Sequence, residues 1–285
     1  MSPMNNRLLV PRKTPGLLDL VPGAAAAYSL RSLSNSYAGP VVTVRRSSDD
    51  AEEDFTAAEV SDGTLAAFCG AGDGFVKTWH SQTGSNDATQ TTAGYQPKIV
   101  GGGVVILEEG KPAIQFNGAS TFFASNSLAS VFSGTDVPHT RIILLSPSST
   151  SVNYELVSPG DASGTPLKSI YINGATAKYT INIRDNASVL KGPHGTASVS
   201  VAQEVVCDFC SGTSSTVSKN GVTYGPYDMD VGNVSLTTFT IGAINRIGAI
   251  SAYFSGKMQE VLIYPSDQSA NRELLEGQIA WSYSQ

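Results

Sequence analysis

From residue 98 onward, apolar side chains recur at alternate positions in short runs, and clusters of Gly, Pro, Asn and Ser separate one run from the next. Period-two alternation puts one face of an extended chain on a core and the other in solvent, so these runs read as strands. They lie at 103–107, 113–117, 121–124, 140–145, 153–157, 169–172, 178–184, 197–207, 214–219, 236–241 and 258–264. Lys219-Asn220-Gly221-Val222 predicts a type I′ hairpin, because Asn and Gly tolerate two successive left-handed positions. No strand–helix–strand rhythm accompanies the runs, and the pattern therefore predicts an all-β fold, a two-sheet jelly-roll sandwich.

The period changes in three places. Ala26, Leu30, Leu33 and Tyr37 share a helical face, which predicts a short helix over 23–37 ended by Gly39-Pro40, with a strand after it at 41–46. A second short helix is predicted over 62–69, with Asp62 as its cap, Leu65, Phe68 and Cys69 on one face, and Gly70 as its stop. Over 269–283, Leu275, Ile279 and Tyr283 step by four with Leu274 beside them, predicting a helix that caps one end of the sandwich. Residues 1–22 read as an extended N-terminal arm, since Pro11, Pro15 and Pro22 fix φ and remove amide donors. Arg7, Leu8, Leu9, Arg12, Leu17 and Leu18 are its candidate anchors, on this chain's own sandwich or on a neighbouring subunit. No internal repeat or linker interrupts the remainder, so 23–285 reads as one domain.

The segment 74–90 holds the clearest candidate chemistry: a strand enters a turn rich in Gly and Asn that carries an aromatic and several amides. Trp79 is a candidate to stack on a sugar face, with Gln82, Asn86 and Asn245 bonding hydroxyls. Strict alternation puts Phe75, Lys77 and Trp79 on one side and Val76, Thr78 and His80 on the other, and Trp79 then equally suits a place in the core beside Phe75.

Composition narrows the partners. The 285 residues are 41% apolar, enough for a substantial core, and only 15% charged. A net charge of −6 argues against nucleic acid as a partner. The charge is uneven: Arg7, Arg12, Lys13, Arg31, Arg45 and Arg46 stand against Asp19 alone, and Asp49, Asp50, Glu52, Glu53, Asp54, Glu59 and Asp62 come next with no base among them. That asymmetry suits docking between neighbours, or two solvated stretches. No run approaches the roughly 20 apolar residues of a membrane span, so membrane insertion is not expected. The first 23 residues lack a continuous apolar segment of the secretory kind, which points to a cytoplasmic site of synthesis.

Cys69, Cys207 and Cys210 cannot all pair, and Cys207-Asp208-Phe209-Cys210 lacks the second half of a zinc site. Gly70-Ala71-Gly72-Asp73-Gly74 precedes a strand where a phosphate cradle would open a helix. The acids at 49–54 lack calcium-loop spacing. Neither a metal nor a cofactor is expected.

Tyr28-Ser29-Leu30-Arg31-Ser32-Leu33, Ser36-Tyr37-Ala38-Gly39-Pro40 and Val44-Arg45-Arg46-Ser47-Ser48-Asp49 resemble the opening of the catalytic domain of fungal α-L-arabinofuranosidase B. The resemblance continues through 79–90 and resumes at Thr240-Ile241-Gly242-Ala243, at 254–261 and at Tyr264-Pro265-Ser266-Asp267. It implies a concanavalin A-like jelly roll. Arg7-Leu8-Leu9-Val10-Pro11-Arg12 and Asn271-Arg272-Glu273-Leu274-Leu275-Glu276-Gly277 also resemble proteins encoded among the structural genes of tailed bacteriophages, laminin-G-like in fold.

A retaining glycosidase needs two carboxyl groups about 5 Å apart. The resemblance implies an acid just after the turn that Ile241-Gly242-Ala243 matches, yet Ile244-Asn245-Arg246 stand there in this chain. It implies a nucleophile within 154–163, for which Glu155 and Asp161 are the stand-ins, and His80-Ser81 replace a Tyr-Asp of the family's first loop. An amide cannot protonate a leaving oxygen. The expectation is therefore a non-enzymatic virion structural protein, decorating a capsid or associated with a tail. It would be made in the host cytoplasm, form a homo-oligomer, join other virion proteins through its arm, and have host-surface glycan as an added ligand. A carbohydrate-binding module or an arabinofuranosidase-like hydrolase is the alternative.

Overall fold

The computed structural model describes residues 14–283. Nineteen strands form one hydrogen-bonded network that folds over into two layers. In the first layer the strand order is Glu52–Phe55, Val42–Arg46, Gly74–Trp79, Lys98–Gly101, Ile114–Asn117, Ser255–Tyr264, His139–Pro147, Glu204–Cys210, Ser215–Lys219, Val222–Tyr227, every pair antiparallel. In the second it is Ala88–Thr89, Phe123–Ala124, Thr238–Ile241, Tyr154–Gly160, Leu167–Asn173, Lys178–Arg184, Leu190–Ser198. Thr78 pairs with Thr89 where the layers join. Val44, Val76, Phe116, Ile143 and Val261 from one layer meet Phe123, Leu156, Ile170, Ile181 and Phe239 from the other in a single apolar core. The all-β sandwich expected from the alternation is the fold observed.

Strand His139–Pro147 is buried at every position, because its second face is also covered. Ile142, Leu144, Cys207, Phe209, Leu262 and Tyr264 point away from the central core into an outer apolar layer made with Leu17, Val21, Leu33, Leu275 and Ile279. The C-terminal helix Arg272–Tyr283 thus lies over a sheet face and not over an end of the sandwich. Leu275 and Ile279 are its buried stripe and Leu274 is exposed; the side chain of Tyr283 lies outside the described residues.

Several expectations require correction. The predicted helix over 23–37 contains instead the strand Ala26–Ser29, paired with Glu260–Ile263. Tyr28 faces the inner core and Ala27 the outer layer, so burial on both sides mimics a helical stripe where tertiary pairing decides the backbone. The expected strand at 197–207 is two strands, Leu190–Ser198 and Glu204–Cys210. The first of these carries Gly192-Pro193, which a strand at a sheet's edge accommodates and a sequence reading takes for a loop. Helix Ala57–Ser61 escaped notice within the acidic stretch, although Thr56 and Glu59 form a reciprocal capping box.

The arm also differs from its expected extent. Leu17–Leu20 is a single helical turn, Leu17 is 1% exposed in the outer layer, and Leu18 packs against that layer. Asp19 accepts a hydrogen bond from the Ser34 hydroxyl at 2.6 Å, and the Asn35 side-chain NH2 donates to the Thr14 carbonyl at 2.9 Å. Leu17 and Leu18 are therefore engaged by this chain itself. Arg7, Leu8, Leu9 and Arg12 lie outside the described residues. Deleting residues 2–22 removes Leu17 and Val21 from the outer layer and is expected to cost about 3–5 kcal/mol in urea denaturation. Leu17→Ala alone should cost about 2–5 kcal/mol, and an unchanged midpoint would contradict this placement of Leu17.

Candidate functional site

The turn after Gly74–Trp79 is built by its amides. Val42 pairs with Trp79, Thr43 with Thr78 and Val44 with Val76, so Lys77 is an extra residue in a bulge. The bulge turns both Val76 and Trp79 toward the core, whereas Phe75 faces outward. Trp79 is fully buried, with its ring centroid 5.6 Å from that of Tyr28 and 6.0 Å from that of Phe123. It cannot stack on a sugar. The expected face shared with Phe75 is also corrected, since the bulge breaks the alternation at Lys77.

Gln82 is buried; its carbonyl accepts from the Leu33 amide and its NH2 donates to the Arg31 carbonyl, both at 2.7 Å. Asn86 takes a left-handed φ of 64°, and its NH2 donates to the Ala25 carbonyl at 2.9 Å. Its side-chain oxygen accepts from Ser127 at 2.8 Å, and its backbone carbonyl accepts the Tyr28 hydroxyl. The Asp87 carboxylate holds the Ser81 amide at 2.8 Å and the His80 ring at 2.9 Å. Trp79, Gln82 and Asn86 come together, but as the clamp that holds strand Ala26–Ser29 against this corner. Replacing Trp79 with Ala is expected to cost about 3–5 kcal/mol by chemical denaturation.

Asn245 lies elsewhere, in the hairpin of Ile244–Arg246 with Ala249–Ser251. Its carbonyl accepts the Thr238 hydroxyl at 2.8 Å, and the Ile247 amide donates to the Asp161 carbonyl at 3.1 Å. The fold thus brings together the two stretches in which the resemblance implies catalytic carboxyls, yet their chemistry does not meet. Ile244 is buried and apolar. Asp161 is kept below the usual carboxylate range by the Ser163 amide, with help from the Thr237 hydroxyl at 2.9 Å. Burial pushes the Glu155 carboxyl up against the pull of its hydrogen bonds from Ser158 and Ser169. Glu155 and Asp161 are alternatives for one role, and Ile244–Arg246 supplies neither of them with a second carboxyl.

A second charged group was illegible in sequence because its members lie on separate strands. Arg141 donates to both oxygens of Asp208, at 2.9 and 2.6 Å, with each side chain at most 2% exposed. Its remaining donor group reaches the Val157 and Lys168 carbonyls of the opposite layer, at 2.8 and 2.7 Å. Buried His139 stands 3.6 Å from Asp208 and edge-on to Phe132. Burial alone would raise the Asp208 pKa, but Arg141 outweighs it and holds the carboxyl far below its ordinary range.

Cys207 faces the outer layer and Cys210 the inner core, as a three-residue step along a strand requires, so the two thiols cannot share a ligand. In the acidic loop Asp49 pairs with Arg46 and Asp50 with Arg45, at 2.7 and 2.5 Å. Those arginines are thus engaged within the chain. Among the described residues no group of three or more His, Cys, Asp or Glu side chains converges to hold a metal ion.

With this geometry in view, the comparisons bear on fold. No protein-family model matches the sequence, and no curated protein matches it. Among solved structures, a GH54 α-L-arabinofuranosidase soaked with a cyclic sulfate inhibitor is similar, with TM-score 0.68 and 16% identity over 90% of this chain and 62% of that one. An arabinofuranosidase complexed with arabinofuranosyl-α-1,2-xylobiose gives TM-score 0.65 and 18% identity at the same coverages. This chain has their β-sandwich fold. It matches 62% of their length, and at these identities the likeness is one of architecture.

Asp208 supplies stability that is complete above its unfolded pKa of about 4 and lost as the pH falls below it, because its folded pKa is depressed. Asp208→Asn is expected to destabilise by about 3–5 kcal/mol at neutral pH, leaving Arg141 buried without its charge partner. The variant should also show a flatter acid limb in denaturation followed from pH 5 to 2.

Proposed function

We propose that the chain works by binding and not by hydrolysis, as a concanavalin A-like component of a tailed-bacteriophage particle. In this reading it forms a homo-oligomer, joins other virion proteins and recognises carbohydrate on the host surface. The observation that carries the non-hydrolytic part is that Ile244–Arg246, the stretch where the resemblance implies an acid, offers no carboxyl and turns apolar Ile244 inward. Whichever of Glu155 and Asp161 stood as nucleophile, it would find in that stretch no acid to protonate the leaving oxygen.

Carbohydrate as the ligand class rests on the fold shared with enzymes solved with an arabinofuranosyl ligand. The virion setting rests on the resemblance of 7–12 and 271–277 to phage structural proteins, with synthesis in the host cytoplasm. Arg7, Leu8, Leu9 and Arg12 are the arm residues left to serve assembly once Leu17 and Leu18 are assigned to this chain's own outer layer.

A hydrolase is the second reading, favoured by the likeness of fold. Incubation with 4-nitrophenyl α-L-arabinofuranoside is expected to release no 4-nitrophenol above the buffer rate, whereas turnover abolished by Asp161→Asn would replace the binding reading. Immunogold labelling should decorate purified particles, and particles free of the chain would remove the virion half of the proposal.

A further inference from the structure

The outer layer covers only part of the first sheet's outward face. Beyond it, a row of side chains crosses the strands: Arg45 pairs with Phe75, Phe75 with Lys98, Lys98 with Gln115 and Gln115 with Lys257. The turns around Ala93–Tyr95 and Asn117–Thr121 flank this row and enclose a groove of about 600 Å³, within the range of small-ligand sites. Arg45, Phe75, Gln96, Lys98, Gln115 and Thr121 line it, and no acidic side chain does. Tyr95, 46% exposed, stands beside Gly94 of the lining.

The cations are held in place from outside the groove. The Arg45 guanidinium lies 5.0 Å from the Phe75 ring centroid, donates to the Gln96 side-chain oxygen at 2.8 Å and pairs with Asp50. The Lys98 ammonium lies 5.5 Å from the same centroid and pairs with Asp73 at 2.7 Å. Asp50 and Asp73, which pair with these cations, are not part of the lining, so both cationic groups reach the groove wall with their charge partners outside it. The Gln115 amide is exposed and offers both a donor and an acceptor.

We infer that this groove is a saccharide site selective for an acidic sugar, one whose carboxylate meets Lys98 and Arg45 while its hydroxyls meet the Gln115 amide and its ring packs along Phe75. The inference rests on the carbohydrate half of the function proposed above and gives it a location away from the Trp79 corner. A carboxylate accepts charge-assisted hydrogen bonds from Lys98 and Arg45 that are stronger than those a neutral hydroxyl accepts.

Calorimetric titration of the full chain with tri-galacturonate and with a neutral galactotriose, together with a glycan array, tests the site. Expected is binding of the acidic trimer that weakens with added salt and falls at least tenfold in both Lys98→Met and Gln115→Ala, each verified as folded by circular dichroism. Binding that neither substitution alters, or a preference for neutral sugars, overturns the groove assignment and leaves the carbohydrate reading standing. A wild-type chain that binds no saccharide on the array or in the calorimeter overturns both.

Discussion

Strand Ser255–Tyr264 is paired along both edges, and the rest of the sandwich is registered to it. His139–Pro147 runs beside it for nearly its whole length on one side, while Ile114–Asn117 and then Ala26–Ser29 share the other. Met258, Val261 and Ile263 enter the inner core, and Leu262 and Tyr264 enter the outer layer. A slip by one residue would exchange the two sets and empty both layers at once. The one irregularity, a bulge between Leu144 and Leu145, leaves Gln259 outside the pairing, and its amide donates to the Pro112 carbonyl at 3.1 Å.

Two-sided burial explains what the sequence disclosed and what it hid. Strands with one polar face, such as Lys178–Arg184, keep their alternation and were legible to the residue. The Asn220-Gly221 turn was equally plain, with both residues at positive φ as the hairpin demands. Ala26–Ser29 has no exposed face, so its pattern carries no strand period, and the small apolar residues around it fit a helix as readily. Leu190–Ser198 hides for the opposite reason: an edge strand buries little, and its Gly and Pro read as a break.

The candidate chemistry was less legible than the fold. Trp79, Gln82 and Asn86 cluster as their spacing suggested, but amides able to bond sugar hydroxyls are equally able to bond backbone carbonyls, and here the chain's own carbonyls take them. Composition could not reveal that Lys77 bulges, and that single extra residue decides which aromatic of the strand is inside. Arg45, Phe75, Lys98 and Gln115 are neighbours only through cross-strand register, a relation with no signature in local sequence.

The opposed thiols of strand Glu204–Cys210 have a practical consequence. Cys207 lies beneath the C-terminal helix and Cys210 between the sheets, so each is shielded by a different part of the molecule. Their alkylation rates therefore keep separate time: one clock runs when the helix lifts, the other when the two sheets part. A native chain without added labels thus reports whether its surface layer and its interior open together or in sequence.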